Sequence, residues 1–148
     1  MKTESLIVEY AREAHRLIWT HGSHVGTQTK SAIAVCGAWQ DAVRSEFGDR
    51  FVAEQVLGAD DMNEKIDLVD TREWVAYELK VSANNPHMEF YRDIFKVLVF
   101  NRRNPKNPLR KLVFITPEEG AARLHKSFTN DVIDVASEVG REVKVVAI

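Results

Sequence analysis

The stretch KIDLVDTREWVAYELKVS, residues 65–82, holds two apolar segments on either side of the turn-forming cluster DTRE. That pattern describes two short strands joined by a tight connection. Alternate residues of an extended chain face opposite sides, so Val75, Tyr77, Leu79 and Val81 share a face fit for a core, while Trp74, Ala76, Glu78 and Lys80 share the other. Asp67 lies on a face with Lys65 and Val69, and antiparallel pairing through DTRE would bring it beside Glu78. The charges have two explanations: an ordinary solvated strand face, or a chemical site that holds them in place.

Outward from this hairpin the periodicity extends the fold. RFVAEQVLG (50–58) reads as a preceding strand joined through GADDMN, which makes a three-stranded meander. Before it, Ile33, Cys36, Trp39, Val43 and Phe47 form the apolar stripe of a helix over 29–47, stopped by Gly48. Earlier still, Leu6, Ile7, Tyr10, Ala14, Leu17 and Ile18 mark an amphipathic helix over 4–19, and the two glycines of THGSHVGTQTK break the pattern between the two helices.

After the hairpin, Asn84, Asn85 and Pro86 open a helix with Met88, Tyr91, Ile94, Phe95, Leu98 and Val99 on a wide apolar face. NRRNPKNPLR (101–110) reads as a polar loop and KLVFIT as a strand buried on both faces. Thr116, Pro117 and Glu119 form a capping-box pattern. The helical region that follows reaches Gly140 with a break near Thr129 and Asn130, and EVKVVAI closes the chain as a strand. The expected order is α, α, β, β, β, α, β, α, β in a single domain, 1–148, with no repeat or linker.

Composition narrows the function. No apolar run approaches the roughly 20 residues that cross a membrane, and charged residues come too early for a signal peptide, so a cytoplasmic protein is expected. The single cysteine, Cys36, has no internal disulfide partner and sits in AIAVCGAW, where a thiol packs as an apolar group. A net charge of −2 and a pI near 6.2 give no overall sign of nucleic-acid binding, so such a role needs a local basic patch. Arg102, Arg103, Lys106, Arg110 and Lys111 supply one, suited to successive phosphates without base preference; the alternative is a solubilising loop.

Other chemistries lack their signatures. His21 and His24 invite a zinc site, but no further His or Cys completes a spacing. GTQTKS lacks the glycine directly before Lys-Ser that a phosphate-binding loop needs. There is no Gly-x-Ser-x-Gly and no base placed near Cys36.

Two carboxylates held side by side repel unless a proton or cation lies between them, and a hard divalent ion prefers oxygen ligands. Asp67, ten residues, then Glu78-Leu79-Lys80, within the order αβββαβ, resembles the PD-(D/E)XK nuclease superfamily over about residues 28–116. Ile66 stands where the motif name places proline. The resemblance implies a restriction-endonuclease-like α/β fold, with a mixed central sheet flanked by helices and an extra N-terminal helix. It implies a DNA nuclease using Mg²⁺ or Mn²⁺, with Asp67, Glu78 and the Leu79 carbonyl as metal ligands and Lys80 orienting or deprotonating the attacking water. An additional acid from the helix before the meander would be Glu46 or Asp41. Cutting both strands of DNA favours a homodimer, with the first helix as an interface. The alternative is a non-catalytic nucleic-acid or protein binding module on the same fold.

Overall fold

The computed structural model describes residues 2–19, 25–58 and 63–148. Two helices, α1 (Lys2–Ile18) and α2 (Val25–Phe47), precede β1 (Phe51–Val56), β2 (Lys65–Asp70) and β3 (Val75–Leu79). Then follow α3 (Pro86–Arg103), β4 (Lys111–Thr116), α4 (Glu118–His125), α5 (Thr129–Glu138) and β5 (Glu142–Ala147). The helix expected from residue 29 begins at Val25 and includes Gly26, since one interior glycine costs a helix only about 1 kcal/mol.

The five strands form one mixed sheet in the order β1-β2-β3-β4-β5. The first three are an antiparallel meander, whereas β4 runs parallel to β3 and β5 parallel to β4. Parallel neighbours require a crossover, and α3 provides the one between β3 and β4. No described helix is long and apolar enough to cross a membrane.

The sheet separates two cores. Phe51, Leu68, Tyr77, Leu79, Val113 and Ile115 face α1 and α2, packing around Trp39 and Val43. On the other side Ile66, Val69, Ala76, Leu112 and Phe114 meet Phe90, Val97 and Phe100 of α3. The alternation expected for residues 74–82 is thus realised, but both of its faces are covered. α1 buries Ile7, Val8, Ala11 and Ala14 against the rest of the domain, and the Trp39 indole N–H donates to the Ile7 carbonyl at 3.0 Å.

One local expectation fails. The capping box does not form: Pro117 occupies the cap position, and Thr116 remains in β4, its buried hydroxyl without a hydrogen-bond partner. The backbone explains this, because the Glu118 N–H is satisfied by the Ile148 carbonyl at 3.3 Å, tying α4 to the chain after β5. The helical break comes at residues 126–128, just before α5.

The connection from β2 to β3 is built around Asp70, whose side chain is 1% exposed. Arg50 grips it with Nε at 2.9 Å and Nη2 at 2.6 Å, and the Arg72 and Glu73 N–H groups donate to the same carboxylate at 3.0 and 3.2 Å. One buried acid thus links the start of β1 to the turn that sets the β2–β3 register. Removing one partner of a buried ion pair leaves the other uncompensated, which costs about 3–5 kcal/mol. Asp70→Ala should lower the unfolding free energy by about that amount in urea titrations; a loss under about 1 kcal/mol would show that the turn stands without it.

Candidate metal-binding and catalytic site

The β2–β3 register pairs Leu68 with Tyr77 and Val69 with Ala76, so its continuation sets Asp67 opposite Glu78. The strand alternation slips there: Ile66 and Val69 join the α3-side core, whereas Leu68 joins the other. In β1, Glu54 lies between the pairs Ala53–Leu68 and Gln55–Ile66 and has a left-handed φ of 52°. A non-glycine residue holds that conformation at a cost of about 1–2 kcal/mol. Glu54 and Asp67 are therefore neighbours at an irregular point in the sheet.

Glu78 is 3% exposed, which excludes the solvated-face explanation for it. Its face of β3 lies under α3, where Lys96 Nζ sits 3.0 Å from Glu78 Oε1 and 2.8 Å from Asp93 Oδ1. On its other side the Glu78 carboxyl adjoins that of Asp67 at the facing strand position, and Asp67 Oδ2 accepts the Leu79 N–H at 2.9 Å.

Burial determines the protonation of this group. Glu78 is pushed well above the usual carboxylate range, first by burial and then by the negative charges of Asp67 and Asp93, with Lys96 opposing. Burial also raises Asp67, against the Leu79 N–H and the neighbouring Glu78 carboxyl, which work the other way. Asp93 rises to about 7, burial again outweighing Lys96. For Lys96 burial works downward, but Glu78 and Asp93 overcome it and hold the ammonium above its ordinary value.

A cleft of about 460 Å³ opens beside this group, lined among others by Cys36, Gln40, Glu54, Asp67, Lys80 and Glu89. Lys80 follows the last residue of β3 and is half-buried, its N–H donating to the Ile115 carbonyl at 2.8 Å. Gln40 reaches the site from α2, its amide donating to Glu54 Oε1 at 3.0 Å and to the Asp67 carbonyl at 2.9 Å. Cys36 lies 3.9 Å from the Leu79 carbonyl oxygen. Burial, followed by the charges of Asp67, Glu54 and Glu78, raises its thiol, so it stays protonated.

Several candidate residues are elsewhere. Glu46 and Asp41 are exposed on α2 and do not line the cleft; the α2 position that reaches the site holds Gln40 instead. Because β3 and β4 are parallel, with Val75 opposite Lys111 and Leu79 opposite Ile115, the segment before β4 lies at the far end of β3 from Lys80. Five residues of strand separate those ends, about 17 Å. Arg102, Arg103, Lys106 and Arg110 therefore do not converge on the cleft, and Arg102 and Arg103 belong to the last turn of α3 rather than to a loop. Lys111 bridges Glu4 and Glu142, each at 2.8 Å, which draws it away from any phosphate.

His87 and His15 have contacts of their own outside the cleft. His87 contacts the Ser127 hydroxyl at 3.1 Å and does not line the cleft, and His15 contacts the Val81 carbonyl at 3.0 Å. His21 and His24 lie outside the described residues.

Sequence reasoning missed Glu54, Asp93 and Lys96. For the last two a signal existed: Asp93 and Lys96 stand one helical turn apart, on a helix otherwise read for its apolar face. Nothing in the spacing marked Glu54. Among the described residues, no cluster of three or more His, Cys, Asp or Glu side chains is arranged to hold a metal ion. The Asp67–Glu78 pair nonetheless offers hard oxygen donors, and Mg²⁺ is commonly held by one or two carboxylates, its remaining positions taken by water and substrate phosphate. The donor chemistry therefore fits such an ion. No protein-family model, curated protein or solved structure matches the chain.

The raised acids make stability depend on pH. With Asp93 moved from 3.8 to about 7, the folded chain keeps a proton that the unfolded chain releases above about 4. This group's contribution is thus most favourable below pH about 4 and declines as pH rises to about 7. Asp93→Asn removes that contribution, so its stability relative to wild type should rise with pH across the window, as read from urea midpoints between pH about 4.5 and 8. Parallel pH profiles for the two proteins would refute the assignment.

Proposed function

We propose that the protein is a metal-dependent nuclease with a restriction-endonuclease-like fold that hydrolyses phosphodiester bonds in DNA. The observation that carries this reading is the pair of neighbouring carboxyls, Asp67 and Glu78, at adjoining strand positions, with Asp67 and Lys80 both lining an acidic cleft. The element order supports it too: α2, the β1–β3 meander, α3 and a β4 parallel to β3 follow the αβββαβ order of that fold.

In this reading Asp67, Glu78 and the Leu79 carbonyl hold Mg²⁺ or Mn²⁺. Such an ion, when bound, makes its water more acidic and offsets charge building on the phosphate. The protein's own residues supply the rest. Asp67 is fixed by the Leu79 N–H, so its second oxygen has a defined direction. Lys80 brings an ammonium to the cleft, where it orients the attacking water and stabilises the developing negative charge. Gln40 steadies the Glu54 carboxylate and the Asp67 backbone together. Arg102, Arg103, Lys106 and Arg110 touch the DNA backbone away from the scissile phosphate, and a twofold pair of chains supplies a second site for the second strand.

A non-catalytic nucleic-acid or protein binding module is the second reading, and Lys96 favours it. This residue already compensates Glu78 and Asp93 without any bound ion, so the acids have a structural role available to them.

Cleavage separates the two. Supercoiled plasmid and single-stranded and branched oligonucleotides, incubated with Mg²⁺ or Mn²⁺, should be cut by wild type and spared in EDTA. Lys80→Ala and Asp67→Ala should each reduce the rate by about 100-fold or more while the fold is kept. An intact set of substrates with wild-type protein and either metal would leave the binding module as the better account.

A further inference from the structure

We infer that Lys96 is the internal counter-ion of Glu78 which a divalent cation has to replace, and that Asp93 is the acceptor that retains the Lys96 ammonium when Glu78 is released. The inference deepens the nuclease reading and rests on it.

Lys96 Nζ lies 3.0 Å from Glu78 Oε1 and 2.8 Å from Asp93 Oδ1, within reach of both at once. The three side chains are only 12%, 4% and 6% exposed, so solvent does little to screen the charges from one another. A cation entering from the cleft beside Asp67 therefore finds one Glu78 oxygen already held. Both Lys96 contacts exist in the same conformation. Glu78 can leave the ammonium without a rearrangement of α3, because Asp93 sits one turn away on that helix and keeps the charge satisfied.

The charges sum in a way that supports this exchange. Fully ionised, Asp67, Glu78 and Asp93 carry three negative charges, and Lys96 alone offsets one of them. One divalent ion brings the cluster to neutrality. Other charges facing the cleft are those of Glu54, Glu89 and Lys80, and neither test substitution alters them.

The two residues that hold Glu78 in check have opposite effects on the ion. Removing the ammonium takes away a competitor and a repelling charge. Removing Asp93 leaves Lys96 with Glu78 as its remaining acidic partner in the trio and strengthens the hold that the ion must break. Neither residue touches substrate in this scheme; both are positioning residues acting through Glu78.

The test is calorimetric titration of the full chain with Mn²⁺ alone, near neutral pH, for wild type, Lys96→Gln and Asp93→Asn. Lys96→Gln should bind Mn²⁺ about tenfold or more tightly than wild type, and Asp93→Asn about tenfold more weakly. Unchanged or weaker binding by Lys96→Gln, or unchanged binding by Asp93→Asn, overturns the inference. Should Lys96→Gln fail to fold, with Glu78 left buried beside no cation, the Asp93→Asn titration decides. If wild type binds Mn²⁺ and cuts DNA while the variants bind like it, this inference alone falls. If wild type binds no Mn²⁺ at all, the metal-dependent reading falls with it.

Discussion

The ion-paired trio of Glu78, Lys96 and Asp93 is the constraint around which the α3 side of the molecule is arranged. Apolar burial supplies the energy that holds α3 against the sheet, but it is not directional. One hydrogen bond from the Lys96 ammonium to Glu78 on β3, beside its charge contact with Asp93 on its own helix, gives α3 a defined point against the strand that carries Glu78. The apolar layer of Phe90, Val97, Phe100 and Phe114 then packs around that fixed point.

Topology accounts for the separation of acidic and basic surfaces. A crossover helix between parallel strands has to return to the starting end of the sheet. Its first turns, with Glu89, lie by the cleft, and its last turn, with Arg102 and Arg103, lies beyond the opposite end of β3. Residues close to the hairpin in sequence are in this way placed far from it in space. A duplex bound at the cleft would meet the basic cluster only by running along the molecule, so the cluster would orient the substrate rather than contact the reacting phosphate.

Much of the fold was legible because periodicity reports burial. The strand faces of residues 74–82, the meander and the existence of the last two strands follow from alternation and from short apolar runs, whereas their parallel direction does not. The pairing of Asp67 with Glu78 was also legible, since the short DTRE turn leaves few registers open. Tertiary effects were not. Whether Glu78 faced water depended on α3 covering its face, and the helix position entering the site could not be chosen from the acids alone, so Glu46 was considered while Gln40 occupies it. Glu54 was hidden for another reason: its left-handed backbone breaks the pattern from which strands are read. The capping box failed because a backbone carbonyl from the far end of the chain satisfies the helix start in place of a side chain.

The balance of costs at the cluster bears on why it exists. Holding α3 against the sheet does not require three acids and a lysine, because well-packed apolar residues of similar volume commonly do as well or better than a buried ion pair. The arrangement also leaves more buried carboxyls than ammonium groups, so protons occupy acids that water would leave ionised. The irregular backbone at Glu54 adds a further cost at the same end of the sheet. The other end of the sheet carries costs of the same kind, a left-handed Trp74 with φ 55° and the buried Asp70, but there the acid is matched by Arg50. What distinguishes the cleft end is its excess of buried carboxyls over ammonium groups, while the fold's stability is supplied by the two apolar cores and the Arg50–Asp70 clasp.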